Sequence, residues 1–358
     1  FAQELEDELS NYGYRDLNDL IEKAFENYQH AWSKLSWSDE SEKDYYSGSF
    51  IRMYLSYLKN ADILDTINAY GLLIEPIKDE EKRRLNEFYL EAIEQKYDSF
   101  SHPTTRLNEI RTQIGERVKS RGEKDSTGIY RLDLPTGAGK TNLSMRYAFH
   151  QLVDQNKSRF FYITPFLSVL EQNATAIKKV IGEDGVLEHH SNVVQNKQEN
   201  EDKGDEKESL LPEYLIESWD SPVVLTSMVQ FFQTLFKTKS ANIRRFSSLA
   251  NSVLILDEVQ SLPIEVTTLF NLTMNFLNKI MNTTIILCTA TQPAYDSASI
   301  KHKLSYGGKY GEATDIVELT HDEKEVFTRT ELRKFDEKNR YSNLSDLVDF
   351  VLENDESI

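Results

Sequence analysis

The chain has 358 residues, 39% of them hydrophobic, and 41 basic against 59 acidic side chains leave a formal net charge of −18. That length supports about two domains with cores of their own, and the acidity argues against an overall basic nucleic-acid clamp. No stretch approaches the ~20 consecutive apolar residues of a membrane span, no signal-peptide pattern opens the chain, and a single cysteine, Cys288, excludes an intramolecular disulfide framework and fits a reducing cytoplasm.

Residues 1–75 read as helical. "DLNDLIEKAFENYQHAW" and "FIRMYLSYLKNADILDTI" carry apolar residues at three- and four-residue spacing with few turn signals inside. Residues 79–120 are more charged and also helix-like. From 128 the texture changes to short β-rich runs alternating with longer helical patterns, which predicts a parallel α/β sheet. The runs are "GIYRLDL" (128–134), "RFFYIT" (159–164), "PVVLT" (222–226), "SVLILD" (252–257) and "TTIILCT" (283–289). Ligands of open parallel sheets bind at the carboxyl ends of the strands. The segments leaving those ends, "PTGAGKT", "PFLS", "SMVQ", "EVQS" and "ATQP", are therefore the candidate site. Beyond about 301, "DIVELTHDEKEVFTRTELRKF" and "SNLSDLVDFVLE" predict a short strand, a linker and a helix.

Charge is unevenly spread. Residues 106–124 hold six basic against three acidic side chains, and Lys237, Lys239, Arg244 and Arg245 form a second basic cluster that reads as a solvated face rather than a DNA contact. The acidic run 199–208 reads as a solvated, mobile loop. His189 and His190 in "LEHHSN" lack a ligand constellation with metal spacing, so an ordinary loop or surface role is expected.

"LPTGAGKT" (134–141) follows a strand and precedes a helical pattern, the context a phosphate loop requires. Gly137 and Gly139 let the backbone between Pro135 and Thr141, including Thr136 and Ala138, approach phosphate oxygens. Amides converge at a helix N-terminus, Lys140 meets the β/γ-phosphates and Thr141 can ligate Mg²⁺. Leu134 stands where generic P-loop proteins keep a first glycine, and the shortened P-T-G-x-G-K-T form is the one seen in superfamily 2 helicases. "VLILDEVQSL" (253–262) runs an apolar strand into Asp257 and Glu258. In P-loop enzymes an Asp at such a strand end holds Mg²⁺, and Glu258 is placed to polarise a water; the bland alternative is a solvated strand end.

In combination, "PTGAGKT", "ITP" (163–165), "LTS" (225–227), "DEVQ" and "TAT" (289–291) occur in the order of a superfamily 2 DExH/D-box helicase, which the chain resembles. "ITPFLSVLEQNA", "NSVLILDEVQSLP" and "LCTATQP" are similar to the helicase part of the CRISPR-associated helicase–nuclease of type I systems. The resemblance implies ATP and Mg²⁺ as cofactors, single-stranded DNA and the CRISPR surveillance (Cascade) complex as partners, and no membrane partner. It implies that Gln260 couples the nucleotide to the rest of its motif, and that Thr289 and Thr291 link hydrolysis to domain closure and belong with Thr164, Pro165 and Thr226 to the DNA-side motifs. "RLNEIRTQI" falls where the family recognises adenine, through Asn108, Arg111 or Gln113.

The same resemblance implies that residues 1–75 are the helical tail of an HD-type nuclease domain, 76–103 a linker, 104–300 the first RecA-like domain and 301–358 the start of a second. Asp62 would match the last metal-ligand Asp of the HD site, which in the intact protein takes divalent transition metals. No adjacent His-Asp pair accompanies it here, and His30 is the only histidine before position 102, so no nuclease activity is expected of this chain. Nothing resembling the second domain's arginine-finger motif appears either, so a helicase fragment is expected, with incomplete turnover. A competing expectation, from another class, is a nucleotide-gated interaction module without motor activity.

Overall fold

The computed structural model describes residues 2–33, 35–69, 77–190, 214–289, 294–328 and 348. The spacing at the front of the chain does produce helices: α1 (Ala2–Asn11), α2 (Leu17–Ser33), α3 (Glu40–Ala69), α4 (Asp79–Asp98) and α5 (Arg106–Lys124). Thr105 starts α5 by accepting the Asn108 amide with its side chain, which satisfies one of the donors orphaned at a helix start. α3 lies against the α/β unit: Ser56 donates to the Arg244 carbonyl, Asn60 to the same oxygen, and Tyr46 meets Phe276 edge-on at 5.4 Å.

The strands are β1 (Gly128–Asp133), β2 (Arg159–Thr164), β3 (Val186–His189), β4 (Val223–Ser227), β5 (Ser252–Asp257), β6 (Thr284–Thr289) and β7 (Gly307–Gly308). Among the described residues they form one seven-stranded sheet in the order β3-β4-β2-β5-β6-β1-β7. All neighbours are parallel except β7, which pairs antiparallel with β1. The five expected runs match β1, β2, β4, β5 and β6 to within a residue at each end. The short edge strands β3 and β7 lacked the apolar alternation that would have announced them.

Period-2 alternation sends each strand's side chains to two cores. Tyr130, Leu132, Phe160, Tyr162, Val253, Ile255, Ile286 and Cys288 face α4 and α5 together with α6 (Lys140–Asp154) and α7 (Leu167–Ile181). Phe161, Ile163, Leu254, Leu256, Ile285 and Leu287 face the helices Met228–Phe236 and Thr267–Lys279 and the inner side of α3. A sheet covered on both faces explains why its strands are nearly continuous apolar runs.

Residues expected to begin a second domain lie on the edge of this same sheet as far as 328. Arg131 holds Asp315 through bonds of 2.8 and 2.9 Å, and Ile316, Val317 and Phe327 join the first core. The strand expected at "DIVEL" is reduced to a single bridge between Arg131 and Asp315. A short helix, His321–Val326, follows with a Thr320/Glu323 capping box. The run 199–208 and most of "SNLSDLVDFVLE" lie outside the described residues.

Two surface expectations are corrected. Arg244 and Arg245 are buried, because Arg244 bonds Asn60 at 3.0 Å and pairs with Glu217, while Arg245 bonds the Ile216 carbonyl at 3.0 Å and lies over the Trp219 ring. Lys237 and Lys239 alone of that cluster are exposed. His189 and His190 are also buried rather than at the surface: His189 ends β3 and accepts the Trp219 indole N–H on Nδ1 at 3.0 Å.

Candidate active site

The loop from Pro135 to Gly139 leaves β1 and delivers the chain into α6, whose first residue is Lys140. Gly137 and Gly139 have φ of 84° and 90°, conformations that a side chain would strain. The Ala138 amide closes a turn on the Pro135 carbonyl at 3.2 Å, and Ala138 itself is buried beneath the loop. On the outer side Arg111 of α5 donates to the Gly137 carbonyl, with Nε at 3.0 Å, and to Asn108 Oδ1 at 3.1 Å. Arg111 and Asn108 thus brace the loop from outside.

Asp257 and Glu258 arrive at this loop through the strand order. Only β6 separates β5 from β1, and the pairings Asp257↔Cys288 and Asp133↔Thr289 bring the strand ends nearly level. Lys140 Nζ lies 3.3 Å from Glu258 Oε1, while Gln260 Nε2 bonds Glu258 Oε2. Both Glu258 oxygens are therefore held. Its backbone takes a left-handed φ of 52°, with the amide donating to the Cys288 carbonyl at 2.9 Å and to Asp257 Oδ1 at 3.1 Å. Such a conformation in a residue with a side chain is strained, and strain of this kind gathers at functional sites.

Asp257 is buried, and its Oδ2 accepts the Tyr162 hydroxyl at 2.7 Å. Burial pushes its carboxyl up from the usual value, and the neighbouring Glu258 carboxylate adds to this against the hydrogen bond from Tyr162. A cation beside Asp257 would relieve that cost. The donors available, carboxylate and hydroxyl oxygens, suit a hard divalent cation that keeps waters and phosphate oxygens in its shell, so a cage of three or more protein ligands is not required.

Flanking the loop is a cleft of about 360 Å³, lined by Tyr97, Phe100, Asn108, Arg111, Gly137 and Gly139 among others. The rings of Tyr97 and Phe100 meet edge-on at 5.9 Å. Of the three candidate base-recognition residues, Asn108 and Arg111 line this cleft, whereas Gln113 is exposed and does not. Tyr97 comes from the last turn of α4 and Phe100 from the turn just after it, a segment whose charged helical pattern gave no hint of a pocket.

The expected DNA-side residues divide. Thr164 and Thr226 are fully buried, and the Thr226 hydroxyl donates to the His189 carbonyl at 2.8 Å. Thr289 is buried at the end of β6, Pro165 is half-buried, and Thr291 lies outside the described residues. Exposed at these strand ends are instead Phe166 and Val229. Asp62 stands exposed on α3, and among the described residues no group of three His, Cys, Asp or Glu could hold a metal ion. No helix among them is long and apolar enough to cross a membrane.

Residues 83–294 match the family described as type III restriction enzyme, res subunit. Among curated proteins, the CRISPR-associated nuclease/helicase Cas3 of Haloferax volcanii is 27% identical over 293 residues, which cover 76% of this chain and 29% of that protein. The chain thus spans under a third of its relative's length. Among solved structures, T. fusca Cas3 with AMPPNP is similar at a TM-score of 0.42 and 14% identity, over 55% of this chain and 22% of that one. Its ATP complex is similar at 0.41 and 17% identity, over 53% and 21%.

Proposed function

Because the chain belongs to the family described as type III restriction enzyme, res subunit, a superfamily 2 helicase family, we propose that it is the ATP-binding part of a CRISPR-associated helicase–nuclease. Within that reading residues 104–300 are the first RecA-like domain, 1–75 the helical tail of an HD-type nuclease domain and 76–103 their linker. The intact protein would translocate on single-stranded DNA after recruitment by a CRISPR surveillance complex, in the cytoplasm.

The observation that carries the reading is the meeting of Lys140 with Glu258, 3.3 Å apart, beside a loop turned by two left-handed glycines. Residues 118 apart in sequence converge there on the space above the α6 N-terminus. Lys140 would hold the β- and γ-phosphates together with the loop amides. A bound magnesium ion would supply charge compensation for those phosphates, and Thr141 and Asp257 are the residues that would hold it. Glu258, fixed between Lys140 and Gln260, would orient a water and accept its proton on a carboxylate oxygen. Tyr97 and Phe100 would offer ring surface to the base, with Asn108 and Arg111 at its edge.

Calorimetric titration with Mg-ATP tests this. The chain should bind the nucleotide, and Lys140→Ala should abolish binding while leaving the melting temperature nearly unchanged; undiminished binding by that variant overturns the assignment.

A further inference from the structure

Thr141 and Asp257 are joined beneath the site by a chain of three hydrogen bonds, two of them buried, whose middle members lie outside the phosphate loop and the acidic motif. Thr141 Oγ1 lies 3.1 Å from Asn173 Oδ1, Asn173 Nδ2 lies 3.3 Å from the Tyr162 hydroxyl, and that hydroxyl lies 2.7 Å from Asp257 Oδ2. Tyr162 comes from the middle of β2 and Asn173 from the inner face of α7, and both are buried.

The chemistry of the last member sets the direction of the whole chain. An ionised carboxylate can only accept, so the Tyr162 O–H donates to Asp257. The Tyr162 oxygen is then an acceptor, and it takes an N–H of the Asn173 amide. The carbonyl end of that amide therefore receives the Thr141 proton. Turning the amide round would set its carbonyl against a tyrosine oxygen whose single proton is already committed, leaving two buried acceptors face to face. With its proton directed at Asn173, Thr141 keeps both oxygen lone pairs free for a cation.

We propose that Tyr162 and Asn173 are positioning residues for the cation-binding edge of the nucleotide site, holding the Thr141 lone pairs outward and the Asp257 carboxylate in a single orientation. The proposal rests on the Mg-nucleotide reading above. It assigns a role to one strand residue and one helix residue that lie outside the phosphate loop and the acidic motif, and that reach the site only through the packing of β2 and α7. Partners that orient metal ligands in this way typically tune metal affinity about 10- to 100-fold.

The test is the affinity of the whole 358-residue chain for ADP, measured by calorimetry in Mg²⁺ and again in EDTA. The ratio of the two constants isolates the cation's contribution from that of the loop. Tyr162→Phe and Asn173→Leu should each lower this ratio by about tenfold or more, with affinity in EDTA unchanged. Thr141→Ser, which keeps both the proton and the lone pairs, should retain the ratio. A wild-type ratio in Tyr162→Phe overturns the proposal, and so does an equal loss in Mg²⁺ and EDTA, which would signify general loosening of the site. Should Asn173→Leu fail to fold, Tyr162→Phe alone decides, since it removes one oxygen from a buried ring. Absence of ADP binding by the unmodified chain would instead refute the nucleotide reading itself and take the proposal with it.

Discussion

Arg146 offers a severe test of how α6 is held, because its guanidinium is buried and its partners come from two other helices. Nε and Nη2 each lie 2.6 Å from a Glu94 oxygen on α4, Nη1 lies 3.1 Å from Glu116 on α5, and the group stacks 4.1 Å over the Tyr97 ring. Burial alone would push the Glu94 carboxyl up, yet the bonds from Arg146, His150 and Lys119 hold it well below the usual carboxylate range. Replacing Arg146 by Met keeps the aliphatic stem and removes the charge. Breaking a buried pair from one side costs about 3–5 kcal/mol. Glu94 keeps Lys119 at 3.0 Å and is 20% exposed, so the loss belongs at the lower end, about 3 kcal/mol. Urea unfolding followed by circular dichroism measures it. Most of that loss comes from an uncompensated carboxylate, so Glu94→Gln should rescue it. The double variant Arg146→Met/Glu94→Gln should be more stable than the sum of the two single losses by at least about 1.5 kcal/mol. Additivity within about 0.5 kcal/mol, or a loss below about 1 kcal/mol in the Arg146 variant, would refute the argument.

Two further outcomes follow from buried groups. Burial, with Arg245 nearby, pushes the His189 imidazole down to about 3. The unfolded chain takes up this proton below about 6.5 and the native chain resists it until about 3, so stability falls as pH drops through that window. His189→Gln should flatten the fall, and equal pH slopes in urea midpoints of the two proteins would count against it. At Gly122, a Cβ would meet His150 Cβ at 2.9 Å and the Tyr147 carbonyl oxygen at 3.1 Å. α5 and α6 touch there backbone to backbone, so Gly122→Ala should destabilise by about 1–3 kcal/mol, whereas unchanged or raised melting would show that the helices can separate.

The candidate site was legible wherever it is carried by contiguous residues under local rules. A strand, two glycines and Lys140 opening a helix mark the proposed phosphate loop, because the backbone conformation that cradles an anion needs those residue types in that order. Asp257 and Glu258 were legible for the complementary reason: ionisable residues directly after a run of buried positions require a partner. The strand runs were readable from their apolar continuity, since a sheet covered on both faces admits little else.

What remained hidden depends on residues that meet only through strand order and helix packing. Arg244 and Arg245 look like a solvated basic face in one dimension. Only the folded chain brings Asn60, Glu217 and Trp219 to them, and a cation with enough partners can be buried. Asn173 had a faint signal, as a polar residue three positions after Leu170 on an otherwise apolar helix face. Nothing local ties it to Tyr162 or Thr141. The sequence by itself thus marked the residues proposed to bind a phosphate and a cation, through backbone freedom and side-chain chemistry that act within a few residues. The tertiary structure alone decided how they are aimed, because separating β1 from β5 by a single strand and packing α4, α5 and α7 around the loop are long-range choices that no local pattern encodes.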